Sequence, residues 1–212
     1  MEIISTFLDL VLHLDKHLSV IVQNHGPWAY GIFFLVIFAE TGLVATPFLP
    51  GDSLLFGLGV FVAADSLNIY WLFIILSMAA ILGDSVNYAI GKYIGLTLLE
   101  RNKIRFIKEA HIKKTENFYK KYGPKTIVLA RFIPIVRTFA PFVAGISKMQ
   151  YIRFFTYNCL GGILWIAIFL FSGYYLGGFK LVKENLNIVI LLIIFLSIMP
   201  GVVEFFRHRQ KQ

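Results

Sequence analysis

Apolar runs alternate with short polar breaks along this chain, and the runs come in two lengths. Over residues 1–24, Ser5, Asp9, His13 and Lys16 or His17 recur every three or four positions among Ile, Leu, Val and Phe. That spacing predicts an amphipathic helix lying in a membrane interface. Gly26 and Pro27 end it. Residues 28–40 and 53–64 are apolar but run for only 13 and 12 positions. At about 1.5 Å per residue each reaches roughly 18–20 Å, against a hydrocarbon core of about 30 Å. Between them lies TGLVATPFLPGD, where Pro47 and Pro50 remove amide donors and Gly42 and Gly51 permit tight backbone. The pattern predicts a re-entrant helical hairpin that enters and leaves on one side. Backbone of that kind survives at membrane depth only where protein buries it or it lines a cavity.

The longer runs predict complete crossings. Residues 69–91 form a span interrupted by Asp84, and residues 154–179 an uncharged one. A last span covers about 186–206, followed by the basic tail RHRQKQ. Residues 100–122 read as a basic surface helix, with Glu109–Lys113 and Glu116–Lys120 at four-residue spacing. Residues 126–147 hold short apolar arms around Pro134 and Pro141, which predicts a second hairpin.

The order of these elements repeats. Tyr30-Gly31 opens the first hairpin and Tyr122-Gly123 the second, and the following spans end in GKYIG at 91–95 and GYYLG at 173–177. A unit of surface helix, hairpin and one net crossing places its copy upside down, the inverted plan of many transporters. The expected architecture is an all-α integral membrane protein forming a single domain over residues 1–212. Repeat 1 covers about 1–95, repeat 2 about 100–178, and a C-terminal transmembrane helix completes it.

Composition agrees. The chain is 58% hydrophobic and 16% aromatic, with a mean hydropathy of +0.73, more apolar surface than a soluble domain of this size hides. The one cysteine, Cys159, excludes an internal disulfide. MEIISTFLDL lacks the basic start and small-residue cleavage site of a signal peptide. Residues 92–125 carry ten of the twenty Lys and Arg, which places that segment in the cytoplasm, near anionic lipid, rather than on nucleic acid. The N-terminus and first hairpin then lie on the outer side, and the C-terminus is cytoplasmic.

Against this background four charges stand out. Residues 26–64 contain only Glu40 and Asp52, and residues 126–147 only Arg131 and Arg137. Ionised groups inside a bilayer are costly and mark function. Asp84 either joins this set or bonds to a neighbouring helix. Asp52, after Pro50-Gly51, also fits a helix N-cap. Asp9, His13 and His17 have metal-ligand spacing but read as a solvated face, so neither a metal nor a cofactor is expected.

Three strings resemble signatures of the DedA family of bacterial inner-membrane proteins: ETGLVATPFLPGDSLLF at 40–56, GDSVNYAIGKYIG at 83–95 and ARFIPIVRTFAPFVAG at 130–145. The resemblance covers nearly the whole chain. It implies movement of lipid carriers, notably undecaprenyl phosphate, across the inner membrane in dependence on the proton gradient. It also implies functional roles for Glu40, Asp52, Arg131 and Arg137.

The chemistry is compatible. The polyprenyl tail stays in the bilayer while the phosphate head crosses, and Arg binds phosphate oxygens bidentately while keeping its charge. Arg131 and Arg137 flank Pro134, so two short arms can aim them at one point, with Thr138 as a further hydroxyl donor. Glu40 and Asp52 are the candidate proton carriers, with Pro47, Pro50, Gly51, Pro134 and Pro141 shaping the hairpins. An alternative to phosphate binding is a purely structural tie between the arginines and the acids. No enzyme is expected: all five histidines (13, 17, 25, 111 and 208) lie outside the hairpins, where a lipid phosphatase would need its nucleophile and acid–base groups. The rival functions are a proton-coupled antiporter for small cations or drugs and a broader phospholipid scramblase. A homo-oligomer is compatible with the sequence.

Overall fold

The computed structural model describes residues 20–22, 24–43, 51–63, 67–95, 123–186, 188–193, 195 and 199. The expected surface helices over most of 1–24 and all of 100–122 lie outside the described residues. So do Pro47, Pro50 and most of the last span. The described elements are all helical: α1 (Ala29–Gly42), α2 (Gly51–Val62), α3 (Ile69–Ile90), α4 (Lys125–Ala130), α5 (Pro134–Ile146), α6 (Tyr151–Leu176) and α7 (Lys180–Glu184). A 3-10 turn at Gly26–Trp28 precedes α1, and a π-helical turn at Gly91–Gly95 extends α3.

Among the described residues, two helices are long and apolar enough to cross a membrane: Ile69–Tyr93 and Tyr151–Leu176. The others are short. α1 has 14 residues, α2 has 12 and α5 has 13, each about 18–21 Å of helix. Local chemistry sets several ends. Asn68 Oδ1 accepts the backbone N–H groups of Tyr70 and Trp71 at 3.0 and 3.2 Å, an N-cap for α3. The Tyr30 hydroxyl in turn accepts the Asn68 N–H at 2.8 Å.

Pro134 is the first residue of α5, where a missing N–H costs nothing. The preceding break falls at residues 131–133. Pro141, by contrast, lies inside α5, so of the two prolines expected to punctuate this segment only Pro134 sits at an interruption. At the other end of α5, Lys148 has φ 53°. Its N–H donates to Gly145 O, and that of Met149 to Ala144 O, at 3.1 and 3.2 Å. This is a Schellman closure with lysine where glycine is usual.

The chain forms two compact units. One gathers the described residues of Met1–Val36, Phe48–Ser77 and Trp165–Gln212. Within it α2 is buried around most of its circumference and meets α6 backbone to backbone. A Cβ on Gly59 would lie 2.1 Å from Leu170 O, and one on Gly173 2.1 Å from Phe56 O. Gly177 faces Val60 in the same way. Close approach through small residues is how helices associate where lipid removes the hydrophobic drive.

The other unit gathers the described residues of Ile37–Pro47 and Met78–Leu164. Here α5 meets the end of α3 by the same device. A Cβ on Gly145 would lie 2.2 Å from Tyr88 O, and one on Gly91 2.1 Å from Phe142 O. Gly83 of α3 packs against Phe38 and Thr41 of α1. Tyr88, Ile127, Ala144 and Phe154 form a small core; Tyr88 stacks on Phe154 at 4.6 Å between ring centres, and its hydroxyl donates to Met149 O.

Candidate functional site

The second unit holds two buried ion pairs, each reached by a chain break. Glu40 lies in the last turn of α1, and Arg137 in the first turn of α5, where its backbone N–H bonds Ile133 O at 2.9 Å. Arg137 Nη2 donates to Glu40 Oε1, with side-chain exposures of 7% and 1%. Arg131 follows the last residue of α4. Its Nη2 donates to Asp84 Oδ2 and Asn158 Oδ1 and reaches Ala80 O at 3.5 Å. Gly161 and Gly162 of α6 make room for this side chain: Cβ atoms there would lie 3.0 Å from Arg131 Cδ and 3.5 Å from its Nη2.

Asn87 and Asn158 bind these parts together. Asn87 Nδ2 donates to Thr41 O at 3.1 Å and to Thr138 O at 2.8 Å. The two carbonyls belong to the residues directly after Glu40 and Arg137. Asn158 Nδ2 donates to Ile81 O at 3.0 Å, tying α6 to α3. Glu40, Asp84, Asn87, Arg131, Arg137, Thr138 and Asn158 are all at most 8% exposed. Two carboxylates and two guanidiniums thus share one unit, and their formal charges cancel. In a low-dielectric interior such pairs persist because removing either partner strands the other.

The expected site residues are distributed as follows. Glu40 contacts Arg137, and Asp84 contacts Arg131. Thr138 contributes its backbone carbonyl to Asn87. Asp52 belongs to the other unit. It lies in the first turn of α2, 5% exposed, and accepts a hydrogen bond from the indole N–H of the fully buried Trp165 at 2.9 Å. Gly51 opens α2 and is itself buried. Among the described residues no group of three His, Cys, Asp or Glu could hold a metal ion.

Sequence reasoning did not single out Asn158 or Trp165. Asn158 is a lone carboxamide in the run TYNCLGG, which was a usable signal. A tryptophan in an apolar span carries none.

The comparisons with known proteins address the same segments. The VTT domain profile matches residues 49–175, more than half of the chain. The sequence is 46% identical to Protein DedA of Escherichia coli K12, over 99% of this chain and 97% of that protein. The chain belongs to the DedA family. An uncharacterized membrane protein of Mycobacterium tuberculosis H37Rv is 41% identical over 80% of this chain and 75% of its own length. The inner membrane protein YqjA of Escherichia coli K12 is 34% identical over 70% of this chain and 67% of its own length. No solved structure matches. Membership of the DedA family makes this a membrane protein, and the two long apolar helices are in keeping with that.

Proposed function

We propose that this protein is a flippase that carries a lipid phosphate, undecaprenyl phosphate foremost, across the bacterial inner membrane at the expense of the proton gradient. The observation that carries the reading is the buried Glu40–Arg137 pair, formed at the ends of two short helices. Arg137 and Arg131 are the phosphate-binding cations. Glu40 is the proton carrier, with Asp52 and Asp84 as further carboxylates. An arriving phosphate competes with the carboxylates for the guanidiniums, and a carboxylate released from its cation takes up a proton more readily. Anion binding and proton uptake are then linked.

The proposal includes two re-entrant hairpins, α1–α2 and α4–α5, in repeats of opposite orientation. Matching glycine contacts support it: Gly59 of the first hairpin meets Gly173 of GYYLG, and Gly145 of the second meets Gly91 of GKYIG. The proposed activity makes and breaks no covalent bond, and incubation with lipid phosphates is expected to release no free phosphate.

Reconstitution in liposomes tests the reading. An impermeant probe follows head-group accessibility of undecaprenyl phosphate or phosphatidylethanolamine at each face, with and without an imposed pH gradient. Transport of undecaprenyl phosphate by the wild type, its loss in folded Arg137→Ala and Arg131→Ala, and loss of gradient dependence in Glu40→Gln are the expected results. Wild-type rates in the arginine variants refute the site. Equal movement of phosphatidylethanolamine makes the protein a scramblase instead.

A further inference from the structure

Beside the ion pairs lies a buried carboxamide whose oxygen has no donor. Asn87 is 0% exposed, and its Nδ2 donates to both Thr41 O and Thr138 O. Both amide protons are therefore engaged, and the amide cannot be turned round, because Oδ1 would then face two carbonyl oxygens. The orientation fixed in this way leaves Asn87 Oδ1 buried with no hydrogen-bond donor. Native structures keep few such atoms, and each calls for a reason. The charged groups near its contacts are Glu40 and Arg137, one residue before its two carbonyl partners, and Asp84, one turn earlier on α3, with its partner Arg131. The adjacent Tyr88 hydroxyl is directed to Met149 O. What Oδ1 lacks is a hydrogen-bond donor, and the O–H of a ligand can supply one.

We propose that Asn87 Oδ1 accepts the P–OH of a singly charged phosphate monoester whose anionic oxygens are held by arginine, and that Asn87 thereby selects monoesters over diesters. The inference rests on the lipid-phosphate reading above. A phosphate monoester has its second ionisation near pH 6, so below that value it carries one P–OH beside its anionic oxygens. A phosphodiester, the linkage of ordinary membrane phospholipids, has no such proton at any working pH. It can satisfy an arginine but not a carbonyl acceptor. An anion site built from guanidiniums alone offers only donors and treats the two classes alike at equal charge. The carboxamide adds the one acceptor that tells them apart. In the present structure that acceptor is sealed, and the ligand reaches it when the Glu40–Arg137 pair opens.

The test uses the full chain in nanodiscs and competition against a radiolabelled polyprenyl phosphate. The competitors are the same unlabelled monoester, its methyl diester and inorganic phosphate. At about pH 5, below the second ionisation, monoester and methyl diester both carry a single charge, so any difference reports the P–OH. The wild type is expected to bind the monoester roughly ten-fold or more tightly than the diester, a single good hydrogen bond's worth of discrimination. Asn87→Leu, or Asn87→Ala if the leucine variant does not fold, is expected to bring the two within about two-fold. Equal binding of both by the wild type overturns the role of Asn87 and leaves the lipid-phosphate reading standing. Discrimination that survives in the Asn87 variants overturns it too. Failure of the monoester and the diester alike to bind overturns both readings. Inorganic phosphate competing as well as the prenyl phosphate supports the P–OH contact while overturning the lipid as its source.

Discussion

Removing one member of the Asp84–Arg131 pair is expected to cost far more than removing both. The two side chains are 5% and 4% exposed, so neither charge can turn to water. Asp84→Ala takes the paired carboxylate from a buried guanidinium and leaves Asn158 Oδ1 and Ala80 O as neutral acceptors beside it. Stranding a buried charge in this way costs about 3–5 kcal/mol, or roughly 10²–10⁴ in the unfolding equilibrium. Arg131→Met strands the carboxylate instead and also removes the donor to Asn158 Oδ1, adding about 1–3 kcal/mol. In the double variant both charges are gone, and the main residual cost is the Asn158 acceptor, again about 1–3 kcal/mol. The double-mutant cycle should therefore show a coupling of more than about 3 kcal/mol, well outside the additivity of independent sites. Reversible unfolding by sodium dodecyl sulfate in dodecylmaltoside micelles, followed by near-UV circular dichroism, measures each corner of the cycle. A cost below about 1 kcal/mol for Asp84→Ala, or a double variant as unstable as the sum of the singles, refutes the reasoning.

Other substitutions read out the packing. Gly59→Ala places a methyl 2.1 Å from Leu170 O and is expected to abolish folded protein in size-exclusion chromatography. Gly31→Ala, with nothing within 4 Å of its Cβ position, is the neutral control. Lys148→Gly relieves a left-handed residue at φ 53° and should raise the midpoint of thermal unfolding, by a gain of about 1 kcal/mol. Trp165→Phe removes the indole donor from the buried Asp52 and should cost about 1.5–3 kcal/mol in the same detergent unfolding assay. A loss below about 0.5 kcal/mol would show that another group holds that carboxylate.

The helices were legible because membrane segments carry strong signals. Apolar length marked the two long spans, even with Asp84 inside the first, and proline spacing marked the break before Pro134. Pro141 misled because a proline within a helix forfeits one hydrogen bond without having to end the helix, and α5 runs through it. The charged residues were legible as a set, since charge in an apolar run is conspicuous. Their pairing was not. Linear spacing grouped Asp52 with Glu40, yet the carboxylate beside Arg131 is Asp84, 47 positions away. Tertiary packing alone decides which of three acids meets which arginine. The role of Asn87 was equally out of reach, because it depends on two backbone carbonyls that carry no sequence signature.

The glycine contacts also limit how this protein can move. A helix pair that meets through ordinary side chains can slip by small rotamer changes, which is how shear motions proceed. At Gly59 and Gly173 there is no side chain to readjust, and the same holds at Gly91 and Gly145. Sliding α2 along α6 would bring residues that carry a Cβ toward the place where Gly59 now meets the α6 backbone, and a Cβ at that place lies 2.1 Å from Leu170 O. Each seam therefore behaves as a weld. In any motion of this protein α2 travels with its end of α6, and α5 with its end of α3.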